Sequence, residues 1–84
     1  MLKVEKAALR QRDEPHKLFT GATHADARMS AFRARMPLFG CEEGFLLSDG
    51  TFAHRVRAME VAKEAGQLLD TYGDSEVLFS YMLK

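Results

Sequence analysis

The stretch that decides the fold runs from Gly44 to Gln67 and reads GFLLSDGTFAHRVRAMEVAKEAGQ. It opens with a short apolar run at 45–47, continues with Ser48-Asp49-Gly50, and returns in a second short run at 51–53. Aspartate hydrogen-bonds to its own backbone in turns, and glycine supplies a positive φ. This order predicts a β-hairpin over residues 45–53, with the turn at Gly50.

A helix is predicted directly after the hairpin. One face carries small or β-branched residues spaced at i, i+3, i+4 and i+7, namely Ala58, Val61, Ala62 and Ala65. Three of these four are alanine, so we expect the helix to lie close to the surface it covers. Gly66 is predicted to end the helix as a C-cap glycine.

The N-terminal half predicts a second strand–strand–helix unit. A strand is expected within 3–12, a turn at Asp13-Glu14-Pro15, and a return strand at 16–20 closed by Gly21. Thr23 and Asp26 have the spacing of a capping box, which predicts a helix from about His24 to Arg35. The predicted core-facing stripe of this helix is Ala25, Met29, Phe32 and Met36, and His24, Arg28, Ala31 and Arg35 lie on another face.

The remaining segments complete an α+β fold. Pro37 stops the first helix, and residues 36–43 are predicted to form a linker. Residues 77–83 form either a final strand or a helical turn, because the run is too short for periodicity to decide. We therefore expect one domain over residues 1–84, with a small antiparallel sheet of two hairpins packed with two helices.

Composition limits the class of protein. A chain of 84 residues with a single cysteine, Cys41, has a small core and no intramolecular disulfide, so we expect a homo-oligomer, a dimer or higher. No apolar run approaches the roughly 20 residues that span a membrane, and residues 1–6 do not resemble a signal peptide. These features predict a cytoplasmic protein with no membrane partner and a reduced Cys41.

The net charge of zero hides an asymmetry between the two halves. Residues 1–35 carry eight Lys/Arg and four Asp/Glu, net +4, whereas residues 36–84 carry four and eight, net −4. The simpler interpretation is that the halves attract each other within or between subunits. The alternative is that the basic half faces an anion.

Motifs of catalysis are absent. The three histidines have no metal-ligand spacing, and neither a Walker-type loop nor a G-x-G-x-x-G motif occurs. Cys41 with a distant histidine is a conceivable nucleophile, but a lone thiol is more often a small buried hydrophobe. We therefore predict a binding protein rather than an enzyme, without metal, cofactor or catalytic residues.

Five residues are candidates for ligand binding. His24 and Arg28, one turn apart at a helix start, could hold a phosphate, or simply form a solvated basic face. Phe45 could stack on a base, or belong to the core. His54 and Arg55 open the second helix, where an anion is favoured, and histidine is an unusual N-cap.

The central stretch resembles a family of small phage proteins. That family reads G-F-V-T-S-x-G-x-F-V-[DN]-R-x-E-A and ends its helix in A-G-Q. The corresponding segments here are Gly44 to Phe52, Arg55, Ala58 and Ala65-Gly66-Gln67. An upstream T-G-x-x-H is matched by residues 20–24, and a downstream L-x-S-E-D-L is loosely matched by residues 78–83.

The resemblance implies a function in phage infection. The family is similar to anti-Thoeris proteins, non-catalytic sponges that sequester cyclic ADP-ribose-type signals and form oligomers with nucleotide pockets near subunit contacts. It implies that Phe45 stacks on the base and that Arg55 is the family arginine. His54 stands where the family has Asp or Asn, and Arg57 and Met82 stand where it has glutamate, so the identity of the ligand is left open.

The expected function is therefore binding and sequestration of a small phosphorylated nucleotide in the host cytoplasm, with no direct nucleic-acid binding. One alternative is a protein–protein inhibitor, such as an anti-CRISPR protein that occludes a nuclease complex. A third possibility is an enzyme that cleaves the signal. A sponge needs a concave pocket lined by arginine and an aromatic ring, whereas an occluder needs a patch of roughly 800 Å².

Overall fold

The computed structural model describes residues 1–84 and contains one four-stranded antiparallel sheet and two helices. The strands are β1 (Val4–Gln11), β2 (Leu18–Gly21), β3 (Cys41–Leu47) and β4 (Phe52–Ala53), in the spatial order β2-β1-β3-β4. The helices are α1 (His24–Arg33) and α2 (Arg55–Glu64), and three short 3₁₀ turns lie at Leu38–Gly40, Asp70–Tyr72 and Ser80–Met82. The predicted α+β class is confirmed.

The second hairpin has the predicted turn. Gly50 has a φ of +85°, in the region that favours glycine. The Asp49 carboxylate accepts hydrogen bonds from the Thr51 backbone N–H at 3.0 Å and from its hydroxyl at 2.6 Å. These bonds, the hydroxyl first, hold the pKa of Asp49 below its usual value.

Strand β3 is longer than the sequence predicts. Residues 41–43, assigned to a linker, pair with the far end of β1, where Gln11 lies opposite Cys41 and Arg10 opposite Glu42. Their backbone polar groups are satisfied by this ladder rather than by water, which is why the segment is extended. The consequence is that Glu42 and Glu43 are strand residues and point to opposite faces of the sheet.

Helix α1 buries a different face from the predicted one. Its buried residues are His24, Ala27 and Ala31, whereas Met29 and Phe32 are 49% and 71% exposed. Small residues face the sheet because the backbones approach closely: a Cβ on Gly21 would lie 2.5 Å from the Cβ of Asp26. Met29 and Phe32 therefore face outward, whereas Met36, beyond the end of the helix, packs partly buried against a small core cluster.

Helix α2 is close to the prediction. Ala58, Val61 and Ala62 are buried against the sheet, and Gly66 follows the helix with a φ of +67°. The side chain of Gln67 then joins the N-terminal strand, accepting from the Val4 N–H and donating to the Val4 carbonyl, both at 2.8 Å.

The C-terminal tail packs back onto the core. Leu78 and Met82 are buried in the main hydrophobic cluster, with Phe45, Leu47 and the inner face of α2. The Leu78 N–H donates to the Arg55 carbonyl at 3.1 Å. The two possibilities left open for residues 77–83 both apply in part, since a 3₁₀ turn at Ser80–Met82 is followed by a bridge between Leu68 and Leu83.

Candidate ligand-binding groove

A groove of about 530 Å³ lies where α1, α2, β3 and the C-terminal tail meet. Its lining comprises Thr23, His24, Ala25, Arg28, Glu43, Arg55, Phe79, Ser80 and Tyr81. These residues come from four separate parts of the chain. At the start of α1 the Asp26 N–H donates to the Thr23 hydroxyl at 3.2 Å, and the N–H groups of His24 and Ala25 have no intrahelical partners.

Glu43 is the centre of the groove. Its carboxylate lies 2.6 Å from the guanidinium of Arg28 on α1 and 2.6 Å from that of Arg55 on α2. Burial raises the pKa of Glu43, but the hydrogen bonds from Arg28 and Arg55 outweigh it and hold the pKa below its usual value. The carboxylate is therefore ionised at neutral pH and bridges the two helices.

An aromatic wall closes one side of the groove. The Arg55 guanidinium lies over the Phe79 ring, 4.4 Å from its centroid, and also donates to the Leu78 carbonyl at 2.7 Å. The rings of Phe79 and Tyr81 stack with centroids 5.7 Å apart and an interplanar angle of 14°. Tyr81 is exposed, so a flat ring system is presented to solvent beside a fixed cation.

His24 is held rigidly beneath the groove. Its Nε2 donates to the Gly44 carbonyl at 2.8 Å, which leaves Nδ1 to accept from the Ser80 hydroxyl at 3.3 Å. Burial lowers the pKa of His24, opposed in part by the Gly44 carbonyl and assisted by the positive charge of Arg55. A neutral imidazole therefore joins α1, β3 and the tail.

The remaining site candidates are elsewhere. Phe45 is 0% exposed and contacts the His24 ring edge-on at 4.8 Å, so the structure corrects its predicted stacking role and supports the core interpretation. His54 is the N-cap residue of α2, without a side-chain capping bond, and pairs with Glu42 rather than facing the groove. Of the five candidates, the groove thus unites His24, Arg28 and Arg55.

A second cluster lies on the opposite face of the sheet and is called the open-face cluster. It consists of Arg10, Glu42, Phe52 and His54. Arg10 donates to Glu42 at 3.0 Å and lies 4.5 Å from the centroid of Phe52. The hydrogen bond with His54 first, then that with Arg10, holds the pKa of Glu42 below its usual value.

Sequence reasoning missed Glu43, Phe79 and Tyr81 as groove residues. Glu43 was assigned to a linker, and only its position on a strand brings it between two helices. Tyr81 lies in the 3₁₀ turn at Ser80–Met82, so the stacking of its ring on Phe79 depends on how the tail folds and is not visible in the local sequence.

Cys41 does not line the groove. Its thiol is buried in a small cluster with Leu9 and Ala27. Burial raises its pKa, and a raised pKa disfavours the reactive thiolate. The interpretation of Cys41 as a small buried hydrophobe is supported.

Comparison with known protein families identifies the family to which the chain belongs. The phage T4 y16D protein family matches residues 3–83, nearly the whole sequence. The chain belongs to this family. The prediction of a small phage protein family is thereby confirmed. No curated protein sequence and no solved structure matches this y16D-family chain. Neither of its helices has the length and apolar character required to cross a membrane.

Proposed function

We propose that this y16D-family protein binds a small phosphorylated nucleotide in the groove and sequesters it unchanged during phage infection. A cyclic ADP-ribose-type signal is the proposed ligand class. The observation that carries the proposal is the convergence of Arg28, Arg55, the stacked rings of Phe79 and Tyr81, and the start of α1 around one concavity.

Each part of such a ligand has a complementary part in the groove. Phosphate groups suit the two guanidinium groups and the free N–H groups of the first turn of α1. A base suits the exposed face of Tyr81, since stacking of a base on an aromatic ring contributes about 1–3 kcal/mol. The groove volume of about 530 Å³ lies within the range of small-molecule sites, about 300–1,000 Å³.

Glu43 occupies the position between the arginines that a phosphate would take. Binding therefore exchanges one anion for another, and the Glu43 side chain moves aside as the phosphate enters. Replacing the carboxylate with a neutral amide in Glu43→Gln removes the competing anion. We expect this variant to bind the nucleotide more tightly than the parent.

Sequestration is favoured over cleavage by the chemistry of the side chains. His24, the one histidine in the groove, has both ring nitrogens engaged with Gly44 and Ser80. Glu43 is held ionised by two arginines, so it is not a proton donor at neutral pH. Neither group is arranged as a general acid.

The test is depletion and recovery. The protein is mixed with cyclic ADP-ribose isomers and removed by filtration, and the nucleotide is quantified by mass spectrometry before and after the protein is heated. Depletion followed by intact recovery is expected. Recovery of cleaved nucleotide would indicate an enzyme, and absence of depletion would favour the alternative of a protein–protein inhibitor.

The arginine contribution is tested with a matched pair of variants. Arg28 and Arg10 each pair with a glutamate on β3, but only Arg28 lines the groove. Arg28→Gln should weaken nucleotide binding about ten-fold, the equivalent of about 1.4 kcal/mol. Arg10→Gln should leave it unchanged. Equal effects of the two variants in calorimetry would contradict binding in the groove.

A further inference from the structure

The two arginines of the groove are held in different ways. The Nη2 atom of Arg55 donates to Glu43 at 2.6 Å, and its Nη1 atom donates to the Leu78 carbonyl at 2.7 Å. Its guanidinium also lies over the Phe79 ring. Arg28 has one polar partner, because its Nε at 2.8 Å and its Nη2 at 2.6 Å both contact the same oxygen of Glu43. Only Arg28 therefore loses every polar contact when Glu43 moves away.

The exchange of Glu43 for a ligand anion thus affects the two arginines differently. Arg55 keeps its contacts with the tail and stays in place, so it presents one nitrogen, Nη2, to the anion. The Arg28 side chain, which is 43% exposed against 20% for Arg55, becomes free to turn. Its Nε and Nη2 form a planar fork, and such a fork matches two oxygens of one phosphate group.

We propose that Arg28 is the specificity-determining residue of the groove, a movable fork that selects phosphate over carboxylate, and that Arg55 is a fixed anchor for either anion. A phosphate monoester has three terminal oxygens, enough for the fork and the anchor together. A carboxylate has two, so two of the three nitrogens must share one oxygen, as they do with Glu43. This inference rests on the proposed function and deepens it, because it assigns the recognition of phosphate to one arginine.

Titrations with inorganic phosphate and with acetate at pH 7.5 test the selection, with the backbone amide shifts of the groove residues as the readout. Lysine keeps the positive charge but lacks the fork, so a preference due to charge alone survives Arg28→Lys. This variant should lower the ratio of phosphate affinity to acetate affinity roughly ten-fold, the effect of one hydrogen bond between charged groups. Arg55→Lys should weaken the binding of both anions and leave the ratio close to that of the parent.

Arg10→Lys is the matched control. Arg10 also donates to a single glutamate oxygen through Nε and Nη2, at 3.1 and 3.0 Å, but it lies in the open-face cluster. The ratio of the two affinities should therefore be unchanged in this variant. Equal changes of the ratio in Arg10→Lys and Arg28→Lys, or an absence of amide shifts with phosphate, would overturn the proposal. Circular dichroism confirms that each variant is folded.

Side-chain relaxation by NMR tests the movable fork without any ligand. In Glu43→Ala the Nε–H group of Arg28 should become mobile on the nanosecond timescale, whereas that of Arg55 should stay as rigid as in the parent. Equal mobility of the two arginines in this variant would overturn the proposal. These outcomes are separate from the depletion test, because a protein that leaves cyclic ADP-ribose in solution can still select phosphate through Arg28, and a protein that depletes it can lack that selection.

Discussion

Glu42 and Glu43 are adjacent on β3, yet each is the centre of a different side-chain cluster, and only one of the two clusters lines a groove. Each glutamate pairs with an arginine that lies over a phenylalanine ring, at 4.5 Å for Arg10 on Phe52 and at 4.4 Å for Arg55 on Phe79. The open-face cluster has no helix above it. The groove cluster lies between two helices and beneath the tail, so only there does the same chemistry line a concavity.

The comparison shows that residue type alone does not define a site in this chain. Successive side chains along β3 point to opposite faces of the sheet, so one glutamate lies on each face. The faces differ because α1 and α2 both pack on one of them. His54, predicted to contact a ligand, belongs to the open-face cluster through its contact with Glu42. Arg55, its neighbour in sequence, belongs to the groove.

The largest expected effect is a difference in stability between two phenylalanine variants, one on each face of the sheet. Phe45 and Phe52 lie on the two strands of one hairpin and point to opposite faces. Phe45→Ala should lower the free energy of unfolding by about 3–5 kcal/mol, because it leaves a cavity in a fully buried position. Phe52→Ala, at a partly exposed position, should cost clearly less. Chemical denaturation measures both, and equal losses would contradict the assignment of Phe45 to the core.

The local parts of the fold were predictable from the sequence, because their signals lie within a few residues. The residues Ser48-Asp49-Gly50 predicted a turn with a positive φ at Gly50, and the spacing of the alanines predicted the buried face of α2. The buried face of α1 was not predictable in this way. There, tight approach to the sheet selects Ala27 and Ala31 over the larger Met29 and Phe32.

The groove was predictable only in part. His24, Arg28 and Arg55 lie near helix starts, where local rules favour an anion. Phe79 and Tyr81 reach the groove through a tail that folds back over the start of α2, and no local pattern encodes that return. The position of Glu43 in the groove depends on the pairing of β3 with β1, which joins segments more than 30 residues apart.

The second prediction compares the two glutamates directly. Glu43→Gln should lower the free energy of unfolding by about 1–3 kcal/mol, since hydrogen bonds from two permanently charged arginines are weakened and Arg55 is largely buried. Glu42→Gln should cost at most about 1 kcal/mol, because its partner His54 is mostly exposed. Urea titrations at pH 7 measure both variants. A larger loss for Glu42→Gln would reverse the ranking of the clusters.

The third prediction concerns the pH dependence of the groove side. The pKa of His24 in the folded chain lies below the ordinary value of 6.5, so the unfolded chain binds a proton that the folded chain excludes. The contribution of neutral His24 to the free energy of unfolding is therefore fully present above pH 6.5. It falls as the pH is lowered from 6.5 towards the pKa of His24 in the folded chain. His24→Gln, which cannot titrate, should show a smaller loss between pH 7.5 and 5.5. An identical loss would assign the pH dependence to other groups.

The smallest expected effect concerns the pair of His54 and Glu42, and a double-mutant cycle isolates it. Glu42→Gln, His54→Gln and the double variant give a coupling energy, which for an exposed pair should be about 0.2–1 kcal/mol. The matched cycle of Glu43 with Arg55 should give a larger coupling, because the Arg55 side chain is 20% exposed and the His54 side chain is 60% exposed, so solvent screens the first pair less. If both cycles gave the same coupling, the two faces of β3 would be energetically equivalent, and the concavity of the groove would be the one property that distinguishes them.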